Sequence, residues 1–251
     1  MKHIIKSEFY KVRKSRVTFV TAICLLVICG LELAFFIGCK LAGGDMAQLV
    51  EDTRGIEQYA SFGTGTFYLV FVAIFIGGMV SGEYTNRTVR QVVSRGESKL
   101  GIALGQYIAL STAMTVITIA VSAVLGVVCG LIWQFGSISI GRFFLLLLGQ
   151  IAGIWSYSAI CMLLAHITRS GGLSIGLNVM LLLGGNTMTS LLSMWLEKEW
   201  ISKYWLLNVQ YEAINYTGSV AGQGKNIAIL AGVAVVFTIL GILCFQKRDI
   251  D

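Results

Sequence analysis

Six long apolar runs, separated by short polar stretches, account for most of the 251 residues. A bilayer's hydrocarbon core is about 30 Å thick and an α-helix rises about 1.5 Å per residue, so one crossing takes roughly 20 apolar residues. Windows of about that length place spans near Val17–Gly38, Phe62–Gly82, Gly105–Leu131, Phe143–Ile167, Leu173–Trp195 and Ile227–Phe245. The third run is the longest, because no charged residue occurs between Lys99 and Arg142. Gln134, Gly136, Ser137 and Ser139 form a turn-like cluster that leaves too few residues upstream for two crossings, so one long helix ending at Trp133 is expected. The pattern predicts an all-α membrane protein forming a single transmembrane domain over 1–251. No extramembrane stretch is large enough for an independent soluble domain.

Met1 to Arg16 has a helical period of its own, with Ile5, Phe9 and Val12 on one face and Lys2, Lys6 and Arg13 on the other. This reads as an interfacial helix with its bases toward anionic headgroups, either a topology anchor alone or also a docking element for a partner. With a largely polar and basic stretch of sixteen residues ahead of a long first span, the start does not read as a cleavable signal.

Composition agrees with the pattern: 56% of residues are hydrophobic and 13% charged, and the mean hydropathy is +0.78. Proline is absent, so the apolar runs have no obvious kink point. The formal charge of +6 lies in bases that flank the spans, which explains it without nucleic acid. Six bases precede the first span, whereas the following loop has only Lys40 and Arg54 among four acids, so the N-terminus is expected in the cytoplasm. Six spans then put the C-terminus there too. Of the six cysteines, only Cys39 lies outside the apolar runs, and no pair has zinc or redox spacing.

The polar stretch from Ser81 to Lys99 is the most informative. As a helix it would place Val89, Val92 and Val93 on one face and Arg87, Arg90, Gln91 and Arg95 on the opposite arc, a shape that can press into a groove on a soluble partner. Glu83-Tyr84-Thr85-Asn86-Arg87-Thr88, the Val-Arg-Gln-Val-Val run after it, and Ser94-Arg95 together resemble the cytoplasmic loop of ABC-2 type permeases. Lys6 to Lys14 looks like that family's N-terminal elbow helix, and Phe245 to Ile250 is similar to its C-terminal ending. One departure is Arg87, where many members carry glycine. The resemblance implies a coupling helix between the second and third spans, with Glu83, Tyr84, Arg87, Thr88, Arg90, Gln91, Val92 and Arg95 meeting an ATPase. It further implies two permease subunits, identical or related, paired with two copies of an ABC ATPase that binds ATP and magnesium. This chain has no Gly-x-x-x-x-Gly-Lys-Ser/Thr phosphate loop, and no cofactor of its own is expected. The cell membrane is the expected location, and export of a peptide antibiotic, drug or other amphipathic substrate the expected activity.

Glu197 to Lys225 interleaves Trp200, Tyr204, Trp205, Tyr211 and Tyr216 with polar residues. Aromatic rings of this kind favour the membrane interface, and the resemblance suggests short re-entrant helices on the extracellular side. Glu32 is the only acid well inside a span; with Asn178, Trp200 and Trp205 it is a candidate for substrate or subunit contact, against helix-to-helix bonding or snorkelling. Gly77-Gly78, Gly171-Gly172 and Gly184-Gly185 allow close helix packing. An intramembrane enzyme would need paired carboxylates, a serine with histidine, or metal ligands within the bilayer, and the spans offer only His166 near an inner end. A membrane immunity protein that binds a toxin without pumping is the alternative function.

Overall fold

The computed structural model describes residues 2–62, 65–86, 88, 94 and 98–247. Among them are eleven helices and no strand: α1 (Lys2–Lys14), α2 (Arg16–Ala42), α3 (Gly44–Glu51), α4 (Gly55–Phe62), α5 (Thr66–Thr85), α6 (Lys99–Ile132), α7 (Ile140–Thr168), α8 (Gly171–Trp195), α9 (Trp200–Lys203), α10 (Leu206–Ile214) and α11 (Val220–Lys247). Six of them, α2, α5, α6, α7, α8 and α11, are long and apolar enough to cross a membrane. The chain is thus a multi-pass helical membrane protein.

Serine opens four of the six spans. Ser15, Ser98 and Ser139 each sit at a helix start in extended conformation and accept a bond from a first-turn N–H, at 3.1 Å from Val17, 3.1 Å from Gly101 and 3.4 Å from Arg142. Ser170 stands at the same position before α8. The first three caps each satisfy one of the backbone donors that a helix start leaves free, which matters most where a chain enters an apolar medium.

Hydropathy windows find the apolar middle of a helix and miss its polar ends, which explains most of the boundary differences. The third span begins at Lys99 rather than Gly105, and the last at Val220 rather than Ile227. The second begins at Thr66; Phe62 closes α4 instead, its ring 5.9 Å from that of Tyr68. The long third helix ends as expected, with Trp133 as its C-terminal cap.

α7 is the central span, packing on α5, α6, α8, α10 and α11. α2 and α8 are peripheral and keep much of their apolar surface exposed, including Phe19, Leu26 and Phe35 on α2 and Met180, Leu191 and Trp195 on α8. One end of the bundle gathers α1, the C-terminal ends of α5, α7 and α11, and the start of α6. The opposite end is covered by the short helices α3, α4, α9 and α10.

Two of these short helices dock on small-residue stripes. α4 lies on Gly126 and Gly130 of α6, where a Cβ on Gly126 would stand 3.0 Å from the Gly55 carbonyl oxygen and 2.8 Å from the Tyr59 Cβ. α10 lies on Gly149 and Gly153 of α7, where a Cβ would stand 2.6 Å from the Ala213 oxygen and 2.8 Å from the Gln210 side chain respectively. Glycine at i and i+4 removes the side chains from one face, so a second backbone can approach and collect dispersion contacts in place of a hydrophobic driving force. Gly153→Val is therefore expected to push α10 off and to lower the melting temperature in detergent, by about 1–3 kcal/mol of overpacking strain. Gly176→Val, at a position with open space around it, is the control; equal melting points for the two variants would contradict this packing.

The paired glycines divide the same way. Gly77 faces Ser174 and Ile175, Gly171 faces Ser81 and Gly185 faces the Trp205 ring, whereas Gly172 and Gly184 meet nothing within 4 Å. One glycine of each pair makes the close approach.

Candidate functional site at the α1 end

α1 packs on the first turns of α6, with Ile4 against Gly101 and Gly105. Its inward face is Ile4, Glu8 and Val12, all buried, while Phe9 is exposed and Ile5 only half-buried. This rotates the apolar face expected around Ile5, Phe9 and Val12. The cause is a compensated charge: Glu8 can sit at the centre of the interface because Lys11, one turn on, lies 2.6 Å from its carboxylate.

The same Lys11 ammonium stands 3.0 Å from Glu83 in the last turn of α5. Glu8 and Glu83 keep only 5% and 13% of their side-chain surface exposed, and Lys11 keeps 36%. Two carboxylates thus share one cation across 72 positions of sequence. Burial, and then the nearby charge of Glu83, push the Glu8 carboxyl above its ordinary range despite the Lys11 bond. For Lys11, burial acts downward, but Glu83 and Glu8 together outweigh it and hold the ammonium above the ordinary lysine value.

The residue after Glu83 turns the other way. The Tyr84 hydroxyl is 2.8 Å from Nδ1 of His166 on α7, and the His166 ring stacks at 5.0 Å on Phe245 near the end of α11. Arg169, which ends α7 in the left-handed conformation (φ 52°), lays its guanidinium 5.7 Å from the centre of the Tyr84 ring. Lys99, opening α6, donates to the Gln246 carbonyl at 3.3 Å. Below Glu83, the Thr88 hydroxyl donates back to the Glu83 carbonyl at 3.1 Å and Thr85 to the Ser81 carbonyl at 3.1 Å, so the chain leaves α5 along a bonded path. Adjacent residues at the end of α5 therefore tie α1 on one side and α7 with α11 on the other.

Tyr84→Phe removes the hydroxyl and leaves the buried His166 nitrogen without that partner. It is expected to cost about 1–2 kcal/mol, read as a lower melting temperature of the purified chain. No change on this substitution would remove the hydrogen bond from the account of this end.

Of the residues singled out in the sequence, Glu83, Tyr84 and Thr88 meet here, while Arg87, Arg90, Gln91, Val92 and Arg95 lie outside the described residues. The remaining candidates are scattered. Glu32 is on the exposed side of α2. Asn178 is buried two turns into α8, and its amide donates to the Ser174 carbonyl one turn back at 2.9 Å, an intrahelical bond. Trp200 is exposed at the start of α9, and Trp205 caps α10 with its ring against Gly185. Sequence reasoning missed Glu8, Lys11, Arg169 and Phe245. The Glu8–Lys11 spacing of three was a usable signal; the contacts of Arg169 and Phe245 with Tyr84 and His166 are long-range and had none. Among the described residues no three His, Cys, Asp or Glu side chains stand close enough to share a metal ion.

These features define a six-span helical membrane protein whose α1 end is organised around the close of α5. The chain belongs to the family described as "Protein of unknown function (DUF2705)", whose model matches residues 17–250 and so takes in all six spans. No curated protein matches the chain.

Proposed function

We propose that this chain is the membrane-spanning permease subunit of an ATP-driven ABC exporter, with ATP hydrolysed by a separate partner. In this reading α1 is the elbow helix, the segment after Thr88 is the coupling helix, and both termini are cytoplasmic in the cell membrane. Two such permeases, identical or related, work with two ATPase subunits. The observation that carries the reading is the double attachment at the end of α5, with Glu83 bound to Lys11 and Tyr84 to His166. A coupling element must pass movement of a soluble partner into several spans at once, and this arrangement supplies rigid contacts to do so. The lid of short helices at the other end suits a closed exit for a peptide, drug or other amphipathic substrate.

Affinity purification from native membranes in mild detergent, followed by mass spectrometry and an ATPase assay, tests the reading. A phosphate-loop ATPase is expected to copurify, and to be lost from a Glu83→Ala, Thr88→Ala double variant that still folds. Recovery of the chain alone in both forms would overturn it and favour a membrane immunity protein that binds its toxin without pumping.

A further inference from the structure

At the end of the bundle opposite α1, a cleft of about 550 Å³ opens between α9, α10 and the first turns of α11. Lys203, Tyr204, Tyr211, Glu212, Lys225 and Asn226 are among its lining residues. Lys225 is exposed but partnered. Its ammonium donates to the Tyr204 hydroxyl at 3.0 Å and stands 5.4 Å from the centre of that ring, two contacts that favour its position at the rim. The bond and the charge also lower the Tyr204 hydroxyl below its ordinary value. Lys203, next to Tyr204 in sequence, lines the same cleft, so two cations face it.

The surroundings are apolar. α9 packs on α8, whose last turns expose Leu191, Met194 and Trp195, while α11 leaves the cleft with Val235 and Val236 exposed further along. A polar cleft set at the end of two hydrocarbon-facing helices and lined by Tyr204 and Tyr211 lies at headgroup depth. We propose that this cleft binds the phosphodiester of a membrane phospholipid, with Lys203 and Lys225 as cationic ligands and the acyl chains running down the exposed faces of α8 and α11.

Charge draws an anion to the cleft, and the apolar surroundings select a lipid over a free one. Two lysines and one carboxylate, Glu212, leave the cleft a net +1, the complement of a phosphodiester that carries one negative charge. Inorganic phosphate would meet the same two lysines but has no acyl chains to bury against the exposed faces of α8 and α11. The inference rests on the membrane architecture and on the cleft, and stands whether or not an ATPase partner exists.

The test uses the full chain, delipidated in dodecyl maltoside, with dioleoylphosphatidylglycerol titrated in and bound lipid counted by native mass spectrometry. Lys203→Gln with Lys225→Gln is expected to weaken the tightest lipid by roughly thirtyfold, each cation near a membrane surface contributing about 1 kcal/mol. Glu212→Gln is expected to tighten it about threefold, a gain that misfolding cannot produce. sn-Glycerol 3-phosphate at matched concentration should displace none. Unchanged lipid binding in the double lysine variant, or displacement by the water-soluble glycerophosphate, would overturn the proposal, the second outcome reassigning the cleft to soluble anions.

Discussion

Replacing Lys11 with methionine is expected to destabilise the purified chain by about 1–2 kcal/mol at neutral pH, and by less in acid. The figure is below that for breaking a fully buried pair, because the lysine keeps a third of its side-chain surface exposed and part of its charge is screened. Without the ammonium, Glu8 and Glu83 face each other with no cation between them. The pH dependence follows from the direction of each shift. Glu8, raised above the ordinary 4.5, contributes its full stabilisation below 4.5 and loses it as pH climbs through its raised value. Lys11, raised above the ordinary 10.5, contributes across the neutral range and loses its share only as pH rises through its higher folded value. Removing Lys11 leaves Glu8 harder still to ionise, so the deficit of the variant should grow between pH 5 and pH 8. Adding Glu8→Gln to Lys11→Met should restore much of the loss at pH 8, since one of the two facing charges is gone. A deficit that is the same at both pH values, with no recovery in the double variant, would show that Lys11 acts through packing alone. Melting curves of the four proteins at two pH values form a complete double-mutant cycle.

The six crossings were legible because they depend on composition over about 20 residues, which neighbours in space scarcely alter. The end of α6 at Trp133 was legible too, since Gln134, Gly136 and the serines after it are turn residues by their own chemistry. What escaped reading depends on contacts between distant segments. α3 and α4 lie where the sequence shows only a moderately polar loop, and α4 is held by the bare backbone of Gly126 and Gly130 some seventy residues on. The two glycines are visible in the sequence, but their partner is not. α1 shows a different limit. An apolar face was expected, and Glu8 does not belong on one by hydropathy; it lies inward because Lys11 compensates its charge, and Lys11 is held in turn by Glu83, which is far away in sequence. The motif around Glu83 was found by likeness, and the structure places Glu83, Tyr84 and Thr88 at a junction of helices. The role of that junction remains the proposal made above.

At the opposite end, Arg142→Ala is expected to open the lid of short helices while leaving the α1 end intact. The Arg142 guanidinium donates to the carbonyl oxygens of Tyr216 and of Gly218, the latter at 3.0 Å, and so clamps the turn between α10 and α11 to the start of α7. From that turn the Tyr216 hydroxyl donates to Glu57 on α4 at 3.0 Å, and the neighbouring Gln150 amide of α7 donates to the Tyr59 carbonyl at 3.1 Å. One arginine thus holds the piece that joins the two docked helices. Losing two charge-assisted bonds at a half-buried site costs about 2–3 kcal/mol. The readout is limited proteolysis: cleavage between Asn215 and Ser219 should become fast in Arg142→Ala, and Arg142→Lys should fall between, because one ammonium is less suited than a planar fork to hold two carbonyls. The Lys11 and Arg142 clusters share no partner, so the stability losses of Lys11→Met and Arg142→Ala should add. In the permease reading their functional effects separate. Unlatching the lid should release substrate without gating while the ATPase stays bound, whereas loosening the α1 end should weaken the response to ATP while the exit stays closed. Cleavage of the 215–219 turn at the same rate in Arg142→Ala and in the unaltered chain would remove Arg142 as the latch.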